Sequence, residues 1–338
     1  MTSSPLQKSS DRSVVAHWCR AFRQRGAGRL LLWDGGVGTA LVHRGLDLAG
    51  EPPEAWLLRR PAEVAAVHAE FAAAGVDVLQ TNSFGLVRLY AEPSAWPGAL
   101  GPRPELAELV QKSVQLACQG AAAPAAAAPA AAAPAAAAPA GGPAPLGPEV
   151  IACLGPTGRS GLPQGPLAAT YEAAAAAFAA AGVSVLHLET CLEPQELALA
   201  LAAVASAAPE LTLLVSLTLS MGQSGPETPL GTPLGRMLRE LDRSPQPLGA
   251  VGVNCSQPAR RLHAAVAALY EWTGGRIPIL VQPQVGEPSP DCRFPAKPES
   301  PERFARDLLR LRDEGAAALG GCCGATAEHL RALRQATI

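Results

Sequence analysis

The sequence predicts a single α/β domain of the (β/α)8 barrel type, and three observations carry that expectation. Short apolar runs recur eight times along the 338 residues, stretches with helical spacing separate them, and polar residues gather where the runs end. The runs fall at 30–34, 76–81, 150–154, 183–189, 211–219, 250–254, 277–282 and 316–320. Each is short, apolar and bounded by turn residues, as expected of a parallel strand covered on both faces. Parallel neighbours need a crossover helix, so eight βα units in a row favour a closed barrel. An open doubly wound sheet would show fewer units and a G-x-G-x-x-G turn after its first strand. Here the first run leads into Asp34-Gly35-Gly36-Val37-Gly38-Thr39, which lacks that spacing.

The intervening segments carry helical signals. Leu262, Val266 and Leu269, and likewise Phe304, Leu308 and Leu311, repeat at i, i+4, i+7, the spacing of one buried helix face. Ser300-Pro301 reads as an N-cap followed by proline in the first helical position. One segment does not belong to a packed fold. Residues 120–148 are alanine, proline and glycine apart from Leu146, with Pro124, Pro129, Pro134 and Pro139 recurring every fifth residue. Proline at that interval defeats a helix, and alanine offers little to anchor a core. The expected organisation is an N-terminal extension with a leading helix (1–28), a barrel over 29–338, and a disordered insertion within it at 120–148.

Composition excludes several function classes. The net charge is −2, only 4% of residues are aromatic, and no basic run occurs, so neither nucleic acid nor an anionic membrane surface is an expected partner. Residues from Met1 to Pro5 lead into a charged stretch, with no apolar leader, and no segment reads as a membrane span. Eight cysteines in a chain of this size read as reduced thiols of a cytoplasmic protein, not as a disulfide framework.

Chemistry in a barrel gathers where strands pass into βα loops. The polar groups at those points are Asp34, then Gln80-Thr81-Asn82-Ser83, Glu189-Thr190, Asn254-Cys255, Gln282-Pro283-Gln284 and Gly321-Cys322-Cys323. Taken alone, adjacent cysteines such as Cys322 and Cys323 read equally well as small buried hydrophobes or a strained vicinal disulfide. With Cys255 they form a set of three thiols able to close on one zinc and leave its fourth position open, the arrangement of a catalytic rather than a structural zinc. Cys153 and Cys191 lie near strand ends. Cys19, Cys118 and Cys292 read as structural, His68, His187 and His263 as helix-face or core residues, His329 as a cap, and Trp33 and Trp56 as packing groups.

The motifs Asp34-Gly35-Gly36-x-Gly38-Thr39, Thr81-Asn82-Ser83-Phe84-Gly85, Gly155-Pro156-Thr157-Gly158, Glu189-Thr190, Gly252-Val253-Asn254-Cys255-Ser256 and Gly320-Gly321-Cys322-Cys323-Gly324 together resemble the zinc-dependent homocysteine S-methyltransferase family. They resemble most the homocysteine-binding module of cobalamin-dependent methionine synthase. The resemblance runs from about Arg29 to Leu333. It implies Zn2+ on Cys255, Cys322 and Cys323, with the homocysteine sulfur at the open position and methionine as product. It implies Asp34 and Glu189 as holders of the substrate ammonium, backbone amides around Gly35 and Gly36 for the carboxylate, and Thr81 and Asn254 as further substrate-binding residues. Betaine-using relatives carry a tyrosine at the position of Gly85 and a tryptophan near Gly50-Glu51-Pro52-Pro53, both missing here, so an aromatic cage for a quaternary ammonium is unsupported. The donors left are S-methylmethionine, S-adenosylmethionine, or methylcobalamin carried by a separate corrinoid protein. Two rivals stand beside this expectation: a subunit methylating homocysteine or another thiol from a corrinoid partner, and a non-catalytic zinc- or redox-sensing barrel.

Overall fold

The computed structural model describes residues 30–123, 147–159, 161–288 and 295–337. All eight expected strands form, with ends shifted by a few residues: β1 (Leu31–Leu32), β2 (Val78–Gln80), β3 (Glu149–Leu154), β4 (Val185–Cys191), β5 (Thr212–Leu217), β6 (Leu248–Asn254), β7 (Ile279–Gln282) and β8 (Ala316–Leu319). They pair in parallel in the order β1-β8-β7-β6-β5-β4-β3-β2. A parallel bridge between Trp33 and Val78 brings the two end strands together. Asp77 N–H donates to Leu32 O (2.7 Å), and Leu32 N–H donates back to the Asp77 carboxylate (2.8 Å). The strand ring is thus that of a (β/α)8 barrel, and the open-sheet alternative falls.

A crossover helix follows each strand: α1 (Pro61–Ala73), α2 (Leu106–Ala122), α3 (Gln164–Ala180), α4 (Pro194–Ala207), α5 (Leu234–Asp242), α6 (His263–Thr273), α7 (Pro301–Asp313) and α8 (Ala327–Ala336). The caps behave as read. Ser300 accepts from Arg303 N–H at 3.3 Å ahead of Pro301, and Phe304, Leu308 and Leu311 are buried. At α8 the cap is less ordinary. His329 Nδ1 accepts from the N–H and O–H of Thr326, while its Nε2–H donates to Glu299 O at 3.0 Å. Two antiparallel ribbons that the sequence pattern did not signal follow β5 (Ser220–Gly222 with Gly225–Glu227) and β7 (Glu287–Pro288 with Pro295–Lys297).

Two apolar layers hold this architecture. The larger lies between the strands and the surrounding helices. The smaller takes residues from all eight strands (Leu31 and Trp33, Val78, Ile151, Val185, Leu214, Ala250, Leu280 and Ala318), so it fills the barrel's interior. Strand side chains alternate faces, so the next inward positions toward the strand ends are Gln80, Cys153, His187, Ser216, Gly252 and Gln282. The interior therefore changes from apolar to polar toward the C-terminal rim. Among the described residues no helix is long and apolar enough to cross a membrane.

The expected N-terminal extension and most of the Ala/Pro-rich segment lie outside the described residues. The start of that segment is helical: α2 continues to Ala122, and a Cβ at Gly120 would come within 2.3 Å of His68 Cβ on α1. His68 is wholly buried, and burial pushes its pKa down to about 4, so it packs there as a neutral ring. At the far end Gly147 sits beside Ala121, a Cβ on it falling 3.5 Å from Ala121 O. Chain leaving at 123 thus returns next to where it left. Deleting 124–146 and joining Ala123 to Gly147 through about three residues is expected to leave the melting temperature within about 2 °C. A deletion beginning at Gly120 is expected to lower it by more than about 4 °C, because the last turn of α2 and its contact with α1 are lost. Thermal denaturation of both variants checks this.

Candidate active site and metal centre

Three thiols converge at the C-terminal rim. The sulfurs of Cys255, Cys322 and Cys323 all lie within 4.8 Å of one another, with Cys255 to Cys323 at 3.6 Å. Four ligands about 2.3 Å from a tetrahedral zinc stand about 3.8 Å apart, so the set fits that ion with one position left open. A second feature of the chain supports the fit. Cys255 and Ser256 hold φ of 56° and 48°, left-handed values uncommon for residues with a side chain. Strain of that kind collects at functional sites because it aims a side chain that a regular strand would send elsewhere. Hydrogen bonding with Cys322 and Cys323 holds the Cys255 thiol well below the usual thiol range, and the same sharing pushes the other two up.

Backbone bonds between loops fix the rim. Cys255 N–H donates to Gln282 O (2.9 Å), Cys322 N–H to Pro283 O (2.9 Å), and Gly321 N–H to Asp34 O (3.0 Å). Gly36 N–H donates to Cys322 O at 3.2 Å, and a Cβ on Gly36 would fall 2.9 Å from that oxygen. The Gly36 amide is thus already bonded to the cysteine loop, and the lack of a Cβ permits that close approach. The Gly35 amide carries no such bond among the described residues.

Asp34 and Glu189 are both buried beside the thiols. Asp34 Oδ2 accepts from Gln80 N–H at 2.7 Å, and Asp34 Oδ1 has no partner among the described residues. Glu189 is held by neutral donors on both oxygens: Gln80 Nε2 (2.7 Å) and the Cys153 thiol (3.1 Å) on Oε2, Asn254 Nδ2 (2.9 Å) on Oε1. Cys322 Sγ stands 3.8 Å from Glu189 Oε1. Burial is the largest influence on both carboxyls and pushes them up. No lysine or arginine among the described residues bonds to either. Burial without a cationic partner disfavours the charged form of both.

Thr81 and Asn254 are braces. Cys153 N–H donates to Thr81 Oγ1 (3.2 Å), while Ser83 Oγ–H donates to Cys153 O (2.7 Å), which leaves the Thr81 hydroxyl to donate to Ser83 Oγ (2.6 Å). Asn254 is committed likewise: its amide donates to Glu189 and to Thr190 Oγ1 (2.8 Å), and its oxygen accepts from Thr190 N–H (3.1 Å). Both are engaged within the protein and have no free donor, though each side-chain oxygen keeps one acceptor lone pair. Thr190 itself sits at φ 61°, the third non-glycine residue of its kind among the described residues.

Residues to which the sequence assigned no role in the site, and Ser216, which it did not single out, join it. Gln80, Cys153, His187, Ser216 and Gln282 form a bonded polar layer beneath the carboxylates. Their period-2 alternation with interior apolar residues, Val78 with Gln80 or Leu214 with Ser216, was the available signal. Cys191 is buried in the outer apolar layer and His263 pairs with Glu314 at the surface, so neither takes part. Glu54, also unanticipated, accepts from Gly85 N–H, and a Cβ on Gly85 would fall 2.9 Å from its carboxylate.

Comparisons with known proteins fit this geometry. The sequence profile described as homocysteine S-methyltransferase matches residues 31–337. Homocysteine S-methyltransferase 3 of Arabidopsis thaliana is 37% identical over 87 residues, which is 25% of this chain and 24% of that protein. Methionine synthase of Mycobacterium leprae is 30% identical over 105 residues, 30% of this chain and 8% of that protein. The matched stretches thus span well under two thirds of either relative. The crystal structure of the homocysteine methyltransferase MmuM from Escherichia coli, in its metallated form, superposes with a TM-score of 0.67 at 24% identity, over 94% of this chain and 99% of that one, a likeness of fold. With the profile covering the whole barrel, the chain belongs to the homocysteine S-methyltransferase family.

Proposed function

We propose that this protein transfers a methyl group to the thiol of homocysteine, giving methionine, at a zinc site made by Cys255, Cys322 and Cys323. The observation that carries the reading is the juxtaposition of three clustered thiols with two buried carboxylates that lack a cation. A thiol amino acid supplies what each half lacks: a fourth sulfur for the metal, and an ammonium for Asp34 and Glu189. When bound, zinc would act as a Lewis acid that keeps the substrate sulfur deprotonated at neutral pH, where a free thiol (pKa about 8.5) is mostly protonated. The residues of the chain do the rest. Asp34, through its unpartnered Oδ1, and Glu189 hold the ammonium, and the free Gly35 amide receives the carboxylate. Asn254 and Gln80 keep Glu189 in place, while burial of the site excludes water.

In the transfer, the substrate S–H proton leaves to solvent and a new S–CH3 bond forms as the donor's bond to that methyl breaks. The donor's bonding electrons stay with its sulfur or cobalt. The donor is a sulfonium, S-methylmethionine or S-adenosylmethionine, or methylcobalamin on a partner protein. Betaine is set aside on sequence grounds, because Gly85 stands where betaine-using relatives carry a tyrosine. The compartment we assign is the cytoplasm, where thiols stay reduced.

Metal analysis of protein purified under reducing conditions is expected to give about one zinc per chain, the number a single three-thiol site holds. Cys255→Ser and chelator treatment are both expected to remove metal and activity together. Methionine formation is then measured with each donor in turn. Zinc with turnover on a sulfonium fixes the donor class, turnover only with a corrinoid protein points to the partner, and zinc-free protein defeats the proposal. Asp34→Asn and Glu189→Gln are each expected to raise the homocysteine KM by about 10- to 100-fold, the worth of one charged hydrogen bond. Unchanged KM in both variants would favour a sensing barrel instead.

A further inference from the structure

Gln80 touches both carboxylates of the site: its backbone N–H donates to Asp34 Oδ2 and its side-chain amide donates to Glu189 Oε2, each at 2.7 Å. The orientation of that amide follows from groups behind it. Gln282 Nε2 stands 3.4 Å from Gly321 O, a backbone carbonyl that can only accept, so the Gln282 NH2 faces that way. The same nitrogen lies 3.1 Å from Gln80 Oε1, which makes that atom the acceptor and turns Gln80 Nε2 toward Glu189. His187 Nδ1 lies 3.3 Å from the same oxygen and must therefore carry a proton. His187 is wholly buried, and burial pushes its pKa down to about 3, so the ring has one proton only. Nε2 is then bare and accepts from Ser216 Oγ–H at 2.8 Å.

Every bond in this chain points the same way, from Ser216 through His187 and Gln80 to Glu189. We propose that Gln80 is a positioning residue for the substrate's ammonium, its side-chain amide locked by the His187–Ser216 pair and by Gln282 so that Glu189 keeps one fixed orientation. The proposal rests on the homocysteine reading for the identity of the ligand. The direction of the chain does not depend on that reading. Gln282 also joins the device to the loop of Cys322 and Cys323, because Gly321 O is its anchor. A hydrophobic residue at position 80 would fill the same space and leave Glu189 Oε2 with the Cys153 thiol alone.

Two measurements test this on the full-length, zinc-loaded protein. The first is 15N NMR of histidine-labelled protein, with the His187 signals assigned by their loss in His187→Gln. The expected result is a protonated Nδ1 and an unprotonated Nε2. A proton on Nε2 would reverse the chain and overturn the proposal. The second is calorimetric binding of homocysteine and of 4-mercaptobutanoate, which has the thiol and carboxylate but no amine. Gln80→Met is expected to weaken homocysteine at least tenfold and the amine-free thiol less than twofold. Equal weakening of both, or of neither, would show that Gln80 does not act on the ammonium. If Gln80→Met fails to fold, the tautomer of the unaltered protein still decides. Absence of methyl transfer with every donor, alongside the expected tautomer, would defeat the homocysteine reading and leave the chain's direction standing.

Discussion

The whole site depends on drawing together sulfurs that regular strands would hold apart. Cys255 follows β6, and Cys322 and Cys323 follow β8, with β7 between them. Neighbouring strands lie about 4.8 Å apart, so two steps around the ring are about 10 Å. The three sulfurs nevertheless lie within 4.8 Å of one another. The loops must lean inward, and the chain provides for that on both sides. Left-handed backbone at Cys255 and Ser256 turns one loop over the barrel mouth. On the other side, Gly320 and Gly321 have no room for a Cβ, which would meet Trp33 Cβ at 2.5 Å and Ala325 Cβ at 2.3 Å. The β7 loop is the fastener between them, since Gln282 O and Pro283 O accept the amides of Cys255 and Cys322. Holding non-glycine residues in sparsely populated backbone costs on the order of 1–3 kcal/mol each, which the cross-loop bonds must offset.

How much of this could be read from the sequence follows from the kind of information each feature needs. The barrel was legible because eight apolar runs with helical spacers have few other ways to pack. The cysteine set was legible because adjacency and order survive in one dimension. What a polar group is already bonded to does not survive. Gly36 and Thr81 sit where a substrate contact was expected, yet the Gly36 amide is taken by Cys322 O and the Thr81 hydroxyl by Cys153 and Ser83. His187 looked like a core residue, and by burial it is one. Its partners come from β2 and β5, far away in the chain, so only the closed ring reveals that it is bonded.

The interior is graded along the barrel axis, and the gradient explains how buried carboxylates are tolerated. A fully apolar layer comes first, then amide, imidazole, hydroxyl and thiol groups, then Asp34 and Glu189, and at the rim the three sulfurs. Each layer's donors are satisfied by the acceptors of the next. Buried polar groups cost least when such networks are complete, and in this interior network two acceptors beside the carboxylates are exceptions. Among the described residues, Asp34 Oδ1 and Gln282 Oε1 are buried without a partner. Orphaned acceptors of that kind cost about 1–3 kcal/mol apiece unless a ligand donates to them. Their position next to two carboxylates suits a ligand with several N–H donors.

The choice of neutral donors around Glu189 is itself informative. Arginine would have been the stronger partner for a buried carboxylate, through a charged bidentate bond. It would also have satisfied the charge that the site holds in reserve. Gln80 and Asn254 orient Glu189 without neutralising it, so the electrostatic demand is left for whatever enters. The three thiols apply the same logic to a metal, since each ligand that deprotonates adds negative charge around the open position. Under the proposed function, an incoming zwitterion with a thiol would meet both demands at once, its ammonium answering the carboxylates and its sulfur completing the metal. A thiol without the amine would then leave Asp34 and Glu189 uncompensated, and recognition of the amine and activation of the sulfur would be coupled through Glu189, which lies against Cys322.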